Sequence, residues 1–119
     1  MQSTTTGNFN VAVGKSALGA NTTASNNVAV GSAALNTNTT GADNTAVGYE
    51  ALRFSTTAGN NEAFGKTALR SNTTGTMNNA MGSGALYANT TGNYNTAIGG
   101  GALDANTTAS SNVAVGYAS

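Results

Sequence analysis

The chain has 119 residues, with four Lys or Arg against four Asp or Glu, and no His, Cys or Pro. That length fits one modest domain; zero net charge excludes a basic field for nucleic acid or anionic lipid, and the lack of Cys excludes disulfides and thiolate chemistry. The 39% hydrophobic content conceals a sparse core, because 22 of those residues are Ala, and Leu, Ile, Val and Phe together number 17, below the roughly 20% of an ordinary globular chain.

The opening segment, "MQSTTTGNFN", has neither the basic start nor the apolar stretch of a secretory signal. No later run approaches the ~20 apolar residues of a membrane span. From there a single phrase repeats every 17 residues to the end of the chain. Asn10, Asn27, Asn44, Asn61, Asn78, Asn95 and Asn112 share one position of it. Ala12, Ala29, Ala46, Ala63, Ala80, Ala97 and Ala114 share a second; Gly14, Gly31, Gly48, Gly65, Gly82, Gly99 and Gly116 share a third. Leu18, Leu35, Leu52, Leu69, Leu86 and Leu103 share a fourth. Seven copies fill residues 1–119 as a single repeat array, with no insertion.

Within one copy the elements follow from local chemistry. "NTAVG" (44–48) has the length and β-branched content of a short strand closed by Gly. Gly there supplies a corner with φ > 0, or lets a neighbouring backbone come close. Ala51-Leu52 then suggests a second, very short strand. "NTTG" at 38–41 is a turn, since Asn and Thr side chains bond their own backbone. High Gly, Thr and Asn content opposes helix. The expectation is an all-β fold: a parallel β-solenoid of seven 17-residue coils, each stacked ~4.8 Å above the last. Equivalent Asn and Thr side chains would then bond along the stack as polar ladders.

Strand alternation puts Asn44, Ala46 and Gly48 on one face and Thr45 and Val47 on the other. The first set never varies, which fits a cramped interior. The second includes Val13, Val30, Val47, Phe64, Met81, Ile98 and Val115, always apolar. Outward-facing, that stripe is an interface candidate; the opposite assignment puts it inside the coil, and periodicity does not choose between them.

"NVAVG" at 10–14, 27–31 and 112–116 resembles the head repeat of trimeric autotransporter adhesins. That resemblance implies a left-handed β-roll with three chains side by side. The full phrase "NTTGADNTAVGYEAL" (38–52) is more similar to repeats of bacterial and viral tail-fibre or adhesin proteins. It implies a structural shaft at a virion or cell surface, outside the cell, which carries a tip for a host-surface glycan; no such tip is found in this sequence. Self-association follows from physics as well, because one large aliphatic pair per coil is little with which to offset the entropy of ordering a chain. Met1 stands where the register asks for Leu, and Ser119 where it asks for Ala. No polar cap is evident, so a longer shaft or a head-to-tail filament is expected.

Catalysis has little material. Asp43, Glu50, Glu62 and Asp104 occupy four different repeat positions, whereas acid–base work needs groups that share a site. No enzyme, cofactor or metal site is therefore expected. Arg53 and Arg70 lie one period apart; their like charges would keep both in solvent, as an exposed pair or an anion or glycan contact. Tyr49, Tyr87 and Tyr117 could stack on sugars or cover the shoulder of the coil. "GSGAL" and "GGGAL" (82–86 and 99–103) look like phosphate loops without the Lys, and the period accounts for their glycines. Asn21, Asn38, Asn72, Asn89 and Asn106 stand in N-glycosylation acceptor sequences, with Ser55 breaking the series. Thr pairs beside them raise ice binding as a further alternative.

Overall fold

A computed structural model describes residues 6–119; Met1 lies outside them. Among the described residues the chain forms seven three-residue strands: β1 (Val11–Val13), β2 (Val28–Val30), β3 (Thr45–Val47), β4 (Glu62–Phe64), β5 (Asn79–Met81), β6 (Thr96–Ile98) and β7 (Val113–Val115). They make one parallel sheet in chain order. The register shifts by one period at each step, so Ala46 pairs with Ala63 and Val47 with Phe64. This is a β-solenoid, measuring 40 × 22 × 17 Å. Stacking bonds continue past the strands: Leu52 N–H donates to Ala68 O at 3.0 Å, and Thr39 N–H to Thr56 O at 2.9 Å. Each coil is thereby hydrogen-bonded to its neighbours around much of its circumference.

Inside the coil lie the Ala, Asn and Leu columns. Ala46, Asn44 and Leu52 are all fully buried, so the strand places Ala inward and the apolar stripe outward. Asn44 shows why an amide can sit in that core. Its Nδ2 donates to Asn27 Oδ1 (3.1 Å) and to Ala58 O (2.9 Å). Its Oδ1 accepts from the backbone N–H and the Nδ2 of Asn61 (3.1 and 3.2 Å). Two donors and two acceptor sites are all used, which removes the 1–3 kcal/mol or so that each bare buried polar group would cost. Asn27, Asn61, Asn78 and Asn95 repeat the pattern, each passing an Nδ2 or backbone N–H bond along the stack.

Gly48 closes the strand with φ 140°, and a Cβ on it would stand 2.4 Å from the Gly65 carbonyl oxygen. Both its φ and the closeness of the next coil therefore demand glycine.

The expected second strand at Ala51-Leu52 does not form. Leu52 has φ 50°, and every Leu of its column lies between 48° and 51°. A strand would send one of the two side chains outward; the left-handed turn sends both inward, and both are fully buried. That conformation costs roughly 1–2 kcal/mol, while burying a Leu side chain returns about 1.5–3 kcal/mol. Burial wins at each coil, which is how a repeat with one large aliphatic side chain per coil keeps it in the core.

Candidate functional site

The outward face of the sheet carries two columns. One is the apolar stripe, in which Phe64, Met81 and Ile98 are 38%, 44% and 41% exposed and Val30 and Val47 are half-buried. The other runs Val11, Val28, Thr45, Glu62, Asn79, Thr96, Val113. Three-residue strands present these side chains at i and i+2, so the face is flat and two columns wide. Glu62 is the only carboxylate on it, and burial pushes its pKa up. An apolar partner surface would widen that shift by removing more water.

A second cluster sits on the corner after the strand. Glu50 Oε1 accepts from Arg53 Nη1 and Glu50 Oε2 from Arg70 Nε, both at 2.6 Å. The two guanidiniums each lie 4.9 Å from the Phe54 ring centroid. Arg70 also reaches Tyr87, with its guanidinium 5.7 Å from that ring and Nη1 3.3 Å from the hydroxyl. The hydrogen bond from Arg70 holds Glu50 below the ordinary carboxylate range, against the opposing effect of burial. This corrects the expectation of two separately solvated arginines: one carboxylate bridges both, and an aromatic ring serves both. Sequence contained the signal, because Glu50 precedes Arg53 by three residues and Arg70 by one period plus three.

The acceptor sequons turn inward. Asn21, Asn38, Asn72 and Asn89 are fully buried, and their Nδ2 groups donate to the carbonyl three residues on, as Asn38 does to Gly41 O at 2.9 Å. Asn106 makes the same bond to Ala109 O and is half-buried. The four buried amides thus close their own turns, and the folded coil has no room for a glycan there. At Thr22, Thr39, Thr56, Thr73 and Thr90 the first hydroxyl of the pair is spent on the next coil, as when Thr39 Oγ1 donates to Thr56 O at 3.1 Å. The second, at Thr23, Thr40, Thr57, Thr74, Thr91 and Thr108, forms a single exposed file.

Among the described residues no three His, Cys, Asp or Glu side chains come together in a way that could hold a metal. One expectation is corrected: the period does not account for all the glycines of 82–86 and 99–103. Gly82 and Gly99 belong to the repeat's own glycine column, but Gly84, Gly100 and Gly101 do not. With Ser83, Tyr87, Asp104, Tyr117 and Ala118 they line an open hollow of about 410 Å3. Their signal was glycine out of phase with the period.

No protein-family profile matches the chain, and neither curated proteins nor solved structures gave a match.

Proposed function

We propose that this chain is a non-enzymatic structural shaft, part of a viral or bacterial fibre or a surface adhesin, that associates with copies of itself through the outward sheet face. The observation that carries this reading is the coexistence of an interior closed by its own Asn ladder and its buried Ala and Leu columns with an unbroken apolar column outside. A coil that fills its inside with Ala, Asn and Leu has no need of that column for its own closure. A second copy does, because contiguous apolar surface on a thin rod is otherwise left in water. Three chains packed by this face would enclose the stripe around an axis, the arrangement that the resemblance to adhesin heads favours. The mechanical role follows from one-dimensional stacking: each coil touches only its neighbours, so length is added without changing the cross-section.

Sedimentation equilibrium of the chain, alone and with Val47→Glu and Met81→Glu, tests the reading. A discrete oligomer that both substitutions dissociate supports it. Open-ended polymers would favour a self-stacking filament, and a stable folded monomer would remove the interface.

A further inference from the structure

The corner after the strand is occupied by a side chain in most coils. Ser16, Ala33, Glu50 and Thr67 hold it at φ 60°, 58°, 55° and 57°. Gly84 and Gly101 hold the same place at φ 70° and 67°, so the backbone of this corner accepts a side chain and does not demand glycine. A Cβ on Gly84 would meet nothing within 4 Å. Side chains are therefore missing from two consecutive coils where the fold would tolerate them, and the result is the hollow of about 410 Å3, within the ~300–1,000 Å3 of small-molecule pockets.

Its walls are aromatic and its one charged side chain is an acid. Tyr87 is held by the hydrogen bond and ring contact from Arg70. The Tyr117 ring, largely exposed, stands beside Gly100, where a Cβ would meet its edge at 3.5 Å. Asp104 Oδ2 lies 3.8 Å from the Cβ position of Gly101. Among the described residues neither the Asp104 carboxylate nor the Ser83 hydroxyl makes a hydrogen bond to the chain, so both are available to a ligand. No cation lines the hollow, which disfavours an anionic occupant. The Arg70 guanidinium on the far side of the Tyr87 ring offsets the Asp104 carboxylate, so the site has no strong net charge to draw in a quaternary ammonium either.

We infer that this hollow is a binding site for one neutral saccharide ring. Its C–H faces stack on Tyr87 and Tyr117, and vicinal hydroxyls donate to the Asp104 carboxylate, with Ser83 completing the polar side. The inference is independent of the shaft reading, since it rests on the corner and not on the sheet face.

The test is an amide-resolved NMR titration of the whole chain with the methyl glycosides of glucose, galactose, mannose and N-acetylglucosamine. Tetramethylammonium and methyl glucuronide serve as charged comparators. The expected result is saturable shifts at Gly84, Gly100 and Gly101 with one or more neutral glycosides, in the millimolar range. Gly84→Thr, which copies Thr67, and Tyr117→Ala should each weaken the binding about tenfold or more while shifts outside the corner keep their positions. Asp104→Asn should weaken it with the fold intact. Absence of saturable shifts with any neutral glycoside would overturn the inference. So would tighter binding of either charged probe, or binding indifferent to Gly84→Thr and Tyr117→Ala.

Discussion

The corner after the strand is crowded in one part of the rod and hollow in another. At Glu50 it holds a carboxylate, two guanidiniums and the Phe54 ring, packed together. Two coils further on the same backbone carries Gly84, and nothing fills the space. Yet the strands beneath keep the same register and the same parallel pairing. The difference teaches that shape is set by the inner columns, where the Asn, Ala and Gly of the strand recur in all seven copies, and that the corners are free to vary in chemistry. Such separation lets one coil be a packed charge cluster and another a candidate site at no cost to the stack.

Breaking what both corners share should have the largest effect. Gly65→Ala puts a methyl group 2.6 Å from the Gly82 backbone at φ 131°, in the middle of the rod. The clash and the φ penalty act together, and a loss above about 4 kcal/mol is expected. Chemical denaturation would read it, and a loss under 1 kcal/mol or so would mean that the coils are not in this close contact. Asn61→Ala comes next. It takes the acceptor from the Asn78 backbone N–H and Nδ2, and a loss of about 2–4 kcal/mol is expected from the bare buried groups.

A gain is expected where the second Asn ladder is interrupted. Ser55 stands among Asn21, Asn38, Asn72 and Asn89, and on its side of the column Asn21 Oδ1, Asn38 Oδ1 and Ser55 Oγ, all buried, find no hydrogen-bond partner. Further along, Asn89 Nδ2 donates to Asn72 Oδ1 at 3.0 Å. Ser55→Asn offers Asn38 Oδ1 the donor that Asn89 gives Asn72 and should raise stability by about 1 kcal/mol; an unchanged or lower midpoint would show that the bond does not form, as it does not between Asn38 and Asn21.

The smallest effect sharpens the crowded corner itself. Glu50 has a depressed pKa, so its contribution is complete at and above the ordinary carboxylate range and is lost as pH falls through the lowered value. Glu62 has a raised pKa, so the folded state gains stability as pH falls from above that value toward the ordinary range. Glu50→Gln should remove the first dependence at a cost under about 1 kcal/mol, and Glu62→Gln the second. Thermal midpoints measured across the acid range separate the two by sign.

What sequence made legible was what stacking makes repetitive. Asn44, Ala46, Gly48 and Leu52 could be read as a framework because a 17-residue period admits no slip. The second strand was misread because a strand and a left-handed turn can carry the same Ala-Leu pair, and φ at Leu52 is decided by the gain from burying both. Arg53 and Arg70 were misread because a pair one period apart suggests repulsion until the acid three residues before is placed in the same frame. The sequons carried two readings, a turn ladder or a glycan acceptor, because the same Asn-x-Thr serves both; here the turn folds its amide beneath itself. Gly84 and Gly101 were hidden by the abundance of periodic glycine around them.

Stacking in register can be measured along the exposed file of threonines. The chain has no native Cys, so spin labels on Thr23→Cys paired in turn with Thr57→Cys, Thr74→Cys, Thr91→Cys and Thr108→Cys need no other change. Electron–electron distances should lengthen by about 4.8 Å for each added coil, with narrow distributions. Distances that fail to grow in even steps, or that spread broadly, would contradict the solenoid and everything placed on its faces.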